Sequence, residues 1–216
     1  MKDKIKVAYS KEFIPFGEKT FSEADLVILG RRTYEKLSYK EELDGTSSNL
    51  ADMRKFSKNI SAPCFIAVKS DDYGRIKRSV AVFENGKLIA VCDATLVEKN
   101  EASSFGYKVV KTSVGKIGVA VSKDILNPDC LKSLSLCESE LIVNLYVDIY
   151  DYDMTRLIPS LGYLYGLPII SCGAHGAVAA DGTGKTCFCS LREKDDFTLF
   201  TKRKVKDVTV KTISNY

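Results

Sequence analysis

Short apolar runs recur along the chain between polar turn residues, and they predict a series of buried strands. The runs are short, rich in β-branched residues and bounded by polar ones, and they lie at 5–8, 26–29, 64–68, 140–144 and 168–172. Two further pairs of runs flank tight turns and predict hairpins, at 79–83 with 87–91 and at 107–111 with 117–121. The first of these turns contains Asn85-Gly86, which tolerates the positive φ of a tight hairpin.

Three segments carry helical signals. Apolar residues at spacing three predict a helix over about 49–59, with Ser48 as its N-cap. Pro128 predicts the first turn of a helix that runs to about 138, and a third helix over 155–165 ends at Gly166. Since hairpins are as prominent as strand–helix alternation, the pattern predicts one α/β domain over residues 1–216 with mixed sheets.

Composition narrows the function classes. The chain has 216 residues with 32 Lys and Arg against 28 Asp and Glu, and its net charge of +4 gives no dense basic face for nucleic acid. No apolar run reaches the ~18 residues that a membrane helix needs, and the polar N-terminal stretch is unlike a signal peptide. Seven cysteines, an odd number without framework spacing, favour free thiols in a reducing compartment. We therefore expect a cytoplasmic protein that binds neither nucleic acid nor membrane.

Three stretches are similar to the motifs of one family. The longest lies at 115–129 and reads GKIGVAVSKDILNPD, which is similar to G-[KR]-[IL]-G-x-x-[IV]-C-[YW]-[DE]-x-R-x-P-[DE]. The run EADLVIL at 23–29 is similar to [GA]-A-D-L-[VI]-[VI]-[FL]-P-E, and the predicted hairpin at 79–89 is similar to N-[ST]-x-x-[VL]-[IF]-x-x-[DN]-G-x-[LI]-[IL]. These stretches follow the family's order over about residues 4–190. The chain thus resembles the nitrilase superfamily of carbon–nitrogen hydrolases.

The resemblance implies a nitrilase-like α-β-β-α four-layer sandwich, in which two mixed sheets pack face to face between outer helices. It also implies a homodimer and a small amide-like ligand, with no cofactor and no metal. Pro15 and Gly17 lie where the family has a long outer helix, so we expect a shortened N-terminal helix region. The family's reaction uses a Glu as general base, a Lys that stabilises the developing oxyanion, and a Cys that attacks the amide or nitrile carbon.

The three catalytic positions of the family hold other residues in this sequence. The nucleophile position falls on Ser122, the base position on Arg31 and the lysine position on Asp93. A hydroxyl is a poorer nucleophile than a thiolate, a guanidinium does not accept a proton, and a carboxylate disfavours an oxyanion beside it. Asp124 fits the family pattern, and Asn144 is a further pocket candidate. The resemblance therefore predicts a degenerate member whose triad is replaced and whose catalysis is lost, and which serves as a scaffold or as a binder of a small ligand.

Two other hypotheses concern the same pocket. Arg31 and Asp93 exchange the signs of the family's Glu and Lys, so we predict an inverted ion pair between them, because buried charges need partners. A relocated nucleophile, at Ser122, Cys92 or Cys172, would instead leave an active amidase.

Two further motifs suggest ligands of another kind. Cys172, His175, Cys187 and Cys189 have the residue types of a zinc site, although the spacing of the last two is unusual. His175 is the only histidine, so any His-based acid–base step would also depend on it. Residues 179–186 read AADGTGKT and satisfy a relaxed phosphate-loop pattern, but a strand-like run follows them. We therefore favour buried thiols over zinc, and a hairpin loop over a nucleotide site.

Overall fold

The computed structural model describes residues 4–12, 21, 23–31, 37–38, 40–41, 44–72, 74–98, 101–146, 153–173, 176–190 and 194–200. The side chain of Arg31 and the whole of His175, Pro15 and Gly17 lie outside this set. The inverted ion pair, the shortened N-terminal helix region and any site that needs His175 are therefore predictions that fall outside the described residues.

Strands in the described part of the chain form two mixed sheets. In chain order they are β1 (Lys4–Glu12), β2 (Leu26–Arg31), β3 (Leu37–Ser38), β4 (Cys64–Asp72), β5 (Arg75–Glu84), β6 (Lys87–Asp93), β7 (Lys108–Thr112), β8 (Gly115–Val121), β9 (Leu141–Leu145), β10 (Ile169–Gly173), β11 (Gly176–Ala180), β12 (Thr186–Ser190) and β13 (Lys194–Phe200). The first sheet has the order β13-β1-β2-β4-β5-β6, with β3 beside β4, and the second has the order β12-β11-β10-β9-β8-β7.

Each sheet has parallel strands at its centre. In the first sheet β1, β2 and β4 run parallel, and in the second β8, β9 and β10 do so. The outer strands join as antiparallel hairpins, among them the predicted pairs β5–β6 and β7–β8. Because parallel strands end at the same edge of a sheet, the carboxyl ends of β8, β9 and β10 meet at one place.

Helices cover the outer face of each sheet. Within the described residues they are α1 (Asn49–Ile60), α2 (Pro128–Leu136) and α3 (Met154–Tyr165). Met53 and Phe56 of α1 pack on the first sheet, while Leu131 of α2 and Ile158 of α3 pack on the second. A separate apolar core fills the space between the two sheets. The order helix, sheet, sheet, helix confirms the predicted four-layer α/β sandwich.

The central strands are buried on both faces, which explains their continuous apolar runs. In β2, Leu26 and Ile28 face the core between the sheets, while Val27 and Leu29 face α1. All four side chains are fully buried. A strand buried on one face only would show alternating polar residues instead.

At two helix ends the capping residue acts as its residue type indicates, and at one end it does not. Gly166 has a φ of +60° and ends α3 as predicted, and Asn127 caps α2 by accepting a hydrogen bond of 3.0 Å from Asp129 N. Ser48 is the N-cap residue of α1 as predicted, but its side chain makes no capping hydrogen bond. Its φ of −110° and ψ of 13° depart from the extended conformation in which a cap side chain reaches the first turn.

Candidate functional site

Ser122 lies at a strained turn between a strand and a helix. It is the first residue after β8 and begins a short 3₁₀ helix, Ser122–Leu126, which was not predicted. Its φ is +50°, a conformation that non-glycine residues rarely adopt, and the residue is fully buried. A strained strand-to-helix turn is also how some hydrolases present a nucleophile. The predicted nucleophile position therefore coincides with an unusual backbone conformation.

Asn144 of β9 holds this turn from the neighbouring strand. Its Nδ2 donates to the carbonyl oxygen of Ser122 at 3.1 Å and to that of Ala120 at 3.3 Å. Its Oδ1 accepts a hydrogen bond of 2.9 Å from Ser171 Oγ on β10. Ala120, Ser122, Asn144 and Ser171 are all buried. Loss of one partner would therefore leave a buried polar atom without this hydrogen bond, at the full cost of its desolvation. The pocket candidate Asn144 thus acts as a positioning residue for the turn.

Asp124 joins the same turn to the segment after β6. Its Oδ1 accepts hydrogen bonds from Thr95 Oγ1 at 2.7 Å, Leu96 N at 2.8 Å and Thr95 N at 3.0 Å. The residue is 2% exposed, and burial raises the pKa of its carboxyl although these donors oppose the rise. Since Thr95 follows the first sheet and Asp124 follows the second, the carboxylate ties the two sheets together at this end.

Asp93 ends β6 on the outer face of the first sheet. Its neighbour Cys92 lies in the core between the sheets, and successive residues of a strand face opposite sides. Ser79 Oγ, on β5, donates a hydrogen bond of 2.7 Å to Asp93 Oδ1. The carboxylate that stands at the family's lysine position is therefore engaged with β5, on the face opposite to Cys92.

Arg31 ends β2, which is separated from β6 by β4 and β5. The Arg31 and Asp93 backbones are thus three strand spacings apart, at least about 14 Å. The side chain of Arg31 lies outside the described residues, so the inverted ion pair stays a prediction.

The two sheets come close together at Gly30, the residue before Arg31. A Cβ added at Gly30 would lie 3.1 Å from Cys172 Sγ and 3.4 Å from Gly173 Cα. Cys172 and Cys92 are 1% and 3% exposed and belong to the core between the sheets. Burial raises the pKa of the Cys92 thiol to about 12, so the thiol stays protonated at neutral pH. Both candidate thiols are packed as core residues.

Sequence reasoning missed a buried arginine at this end of the first sheet. Arg78 of β5 lies on the same face as Val80, which belongs to the core between the sheets, and its side chain is 8% exposed. Its Nε donates to Glu101 Oε1 at 2.9 Å. One signal was available: in the hairpin pattern the residue before Ser79 is Asn in the family and Arg here.

A second carboxylate links Arg78 to the turn at Ser122. Glu98 Oε1 lies 3.5 Å from Arg78 Nη2 and 3.4 Å from Lys123 Nζ. Charged side chains in contact therefore run from Glu101 through Arg78 and Glu98 to Lys123. Lys123 directly follows Ser122, the candidate nucleophile position.

The phosphate-loop motif is a hairpin turn. Residues 181–185 connect β11 to the antiparallel β12, and Asp181 Oδ1 accepts hydrogen bonds from Thr183 N at 2.9 Å and Lys185 N at 3.0 Å. Phosphate binding by such a motif requires the N-terminus of a helix, whereas a strand follows here. The nucleotide alternative is therefore wrong for this loop, and the expected hairpin is confirmed.

The described residues include neither a grouped set of metal ligands nor a helix that could span a membrane. Within those ranges, no three His, Cys, Asp or Glu side chains are grouped so that they could hold a metal, and His175 lies outside the ranges. None of the described helices has the length and apolar character needed to cross a membrane.

Comparisons by sequence give no relatives, whereas comparisons by structure do. No protein-family model and no curated protein match the sequence. Nit3 from Saccharomyces cerevisiae, a member of branch 10 of the nitrilase superfamily, has a TM-score of 0.78 at 14% identity, over 99% of this chain and 95% of its own. A carbon–nitrogen hydrolase from Helicobacter pylori G27 has a TM-score of 0.74 at 14% identity, over 95% of this chain and 92% of its own.

A third structure extends the same likeness. An amidase from Nesterenkonia sp. has a TM-score of 0.69 at 9% identity, over 100% of this chain and 97% of its own. At identities of 14%, 14% and 9%, the similarity to these three structures concerns the fold alone. The similarity covers nearly the whole chain, including the two sheets and the outer helices described above. The chain has the fold of the nitrilase superfamily, the carbon–nitrogen hydrolases.

Proposed function

We propose that this chain is a non-catalytic protein of the nitrilase fold, one domain over residues 1–216 that binds a small amide-like ligand. The observation that carries the proposal is Ser122, a fully buried hydroxyl at the position where the family's chemistry needs a thiolate. The base position holds Arg31, and the lysine position holds Asp93, which is bonded to Ser79. The loss of a single oxyanion donor alone costs ~10²–10³ in rate, and here all three roles are altered.

The surroundings of Ser122 also favour a structural role. Asn144 donates to two backbone carbonyls, and the carboxylate of Asp124 accepts from Thr95 and Leu96. A serine attacks only when a base removes its proton, and these two flanking polar groups are already engaged with the fold. Their geometry supports a turn that is held in place rather than one that is activated.

The test of the proposal is an ammonia-release assay over a panel of amides and nitriles. The wild-type chain, Ser122→Ala, and wild type treated with a thiol-blocking reagent are compared. We expect the same background rate from all three, because the polar side chains of Asn144 and Asp124 beside Ser122 are already hydrogen-bonded to the fold. Turnover by the wild type that is lost in Ser122→Ala would contradict the proposal.

An active amidase with a relocated nucleophile is the second candidate. The φ of +50° at Ser122 favours it, because strained turns cluster at active sites. Cys92 and Cys172 are weaker nucleophile candidates, because both are buried in the apolar core. Loss of turnover on thiol blocking, with Ser122→Ala still active, would assign the reaction to a cysteine.

We also propose a homodimer that forms through α2 and α3. Leu136, Tyr163 and Leu164 are 75%, 73% and 69% exposed on these helices, and large exposed apolar side chains are typical of interfaces. Tyr163→Glu should shift the mass measured by light scattering from dimer to monomer. Phe105→Ser is the matched control, because Phe105 is fully exposed on a different segment. A monomeric wild type would contradict the proposal.

The cysteines support a cytoplasmic location. All seven are free thiols, and Cys137 and Cys189 are exposed, which suits a reducing compartment. Imaging of the tagged full chain in the source cell would test this location, and retention outside the cytoplasm would contradict it.

A further inference from the structure

One carboxylate oxygen lies between two cations that come from different sheets. Glu98 Oε1 is 3.5 Å from Arg78 Nη2 and 3.4 Å from Lys123 Nζ. Arg78 belongs to β5 of the first sheet, and Lys123 directly follows Ser122 at the end of the second. The two cations thus converge on a carboxylate beside the candidate nucleophile turn.

Glu98 is the most exposed member of this cluster. Its side chain is 61% exposed, and both of its distances exceed the 2.7–3.2 Å of a normal hydrogen bond. Arg78 is bound more tightly elsewhere, because its Nε lies 2.9 Å from Glu101 Oε1 and those two side chains are 8% and 12% exposed. Exposed ion pairs contribute little to stability, so Glu98 can leave while Arg78 stays in place.

We propose that Arg78 and Lys123 form a binding site for the carboxylate group of a small carboxylic acid, and that Glu98 occupies this site when no ligand is bound. Among the described side chains of this cluster, displacement of Glu98 leaves Arg78, Lys123 and Glu101 with one net positive charge, which one carboxylate group balances. Arg78 supplies a planar donor group suited to a carboxylate, and Lys123 supplies a point charge. The inference rests on the proposed function and deepens it, because it adds a carboxylate group to the small amide-like ligand that the non-catalytic site binds.

Succinate is the probe, titrated calorimetrically into the full chain at low ionic strength. Glu98→Ala removes the internal competitor and should tighten succinate binding about two- to fivefold, the range that corresponds to one exposed ion pair. Glu138→Ala is the matched control: Glu138 forms an exposed pair with Lys116 at 2.7 Å, near the other end of β8. This control should leave the succinate affinity unchanged.

Loss of the cations should have the opposite effect. Lys123→Gln should weaken succinate binding about tenfold, the loss expected when one charge-assisted contact is removed. Because Lys123 is 43% exposed, this variant tests the site even if Arg78→Gln fails to fold. Succinamide, which lacks the charge, should bind more weakly than succinate.

Three results would overturn the inference: no succinate binding by any variant, no gain in Glu98→Ala, or tighter binding of inorganic phosphate than of succinate. The ammonia-release assay is independent of these measurements. Amide turnover with intact succinate binding would refute only the proposed loss of catalysis. An inactive chain that ignores succinate would refute only the carboxylate site.

Discussion

The two sides of the candidate site differ in where their polar groups lie. On the side of the second sheet, Ser122, Asn144 and Asp124 form a buried set of hydrogen bonds that fixes the turn after β8. On the side of the first sheet, Asp93 lies on the outer face with Ser79. The comparison teaches that the turn at Ser122 depends on hydrogen bonds between neighbouring side chains and the backbone, and these do not depend on whether residue 122 carries sulfur or oxygen.

The largest expected difference is between the alkylation rates of an exposed and a buried thiol. Burial raises the pKa of Cys92 to about 12, so at pH 8.5 its thiolate fraction is roughly a thousandfold below that of an ordinary thiol. Iodoacetamide should therefore modify exposed Cys137 at least about a thousandfold faster than Cys92 in the native protein. Mass spectrometry of each cysteine over time measures the ratio. Comparable rates for Cys137 and Cys92 would show that Cys92 is an activated thiol, which would contradict its assignment to the core.

The same thiol predicts a loss of stability at alkaline pH. The folded-state pKa of Cys92 is raised, so its contribution is fully present below the unfolded pKa of about 8.5 and is lost as the pH rises toward 12. Cys92→Ser should show a weaker decline in the free energy of unfolding over this window. A parallel decline in both proteins would contradict the assignment to Cys92.

Asn144 should carry the largest stability effect on the second-sheet side. Asn144→Ala leaves two buried carbonyls and the Ser171 hydroxyl without this partner, which we expect to cost about 3 kcal/mol in the free energy of unfolding. Ser171→Ala removes a single bond of the same set and should cost about 1 kcal/mol. Urea denaturation followed by circular dichroism measures both, and equal costs would show that the turn does not depend on Asn144.

Asp124→Asn should have a smaller effect that depends on pH. The variant keeps an oxygen for Thr95 and Leu96, so we expect a cost of about 1 kcal/mol at pH 7. The pKa of Asp124 is raised by burial, so its titration favours the wild type below the unfolded pKa of about 3.9, and this advantage is lost as the pH rises. The cost should therefore be largest near pH 4. A cost that does not change with pH would contradict the assignment of this trend to Asp124.

The backbone strain at Ser122 gives the smallest expected effect. Ala and Gly both lack the hydroxyl, so the difference between Ser122→Ala and Ser122→Gly isolates the φ of +50°. We expect the Gly variant to be more stable by about 1 kcal/mol. At Ser171, within β10, the order should reverse because Gly weakens a strand. The same order at both positions would mean that residue 122 carries no strain.

Turn and cap residues in the sequence predicted the hairpins and helix ends well, because these features depend on residues that are close together in the sequence. Asn85 and Gly86 have φ values of +50° and +75°, as the predicted hairpin requires, and α3 ends at Gly166. Ser48 shows the limit of such rules, since a capping residue type did not produce a capping bond. Ser47 Oγ, one residue earlier, accepts a hydrogen bond of 3.4 Å from Asn49 N instead.

The candidate site was predicted less completely, because its contacts join distant parts of the chain. Position 122 was identified from the motif, but neither its positive φ nor its burial follows from a Ser-Lys-Asp sequence. Arginine is mostly exposed in proteins, so the burial of Arg78 was not expected. Its partners Glu98 and Glu101 become apparent only once the segment after β6 folds back along β5.

The pairing of β1 with β13 has a consequence for how the molecule assembles. Lys4 lies opposite Phe200, so an edge of the first sheet is completed by residues that are far apart in the sequence. Contacts between such distant residues must overcome a large loop-closure entropy, which slows folding. Until β13 arrives, the backbone amides and carbonyls along that side of β1 face solvent, and a nascent chain with an open strand is prone to aggregate.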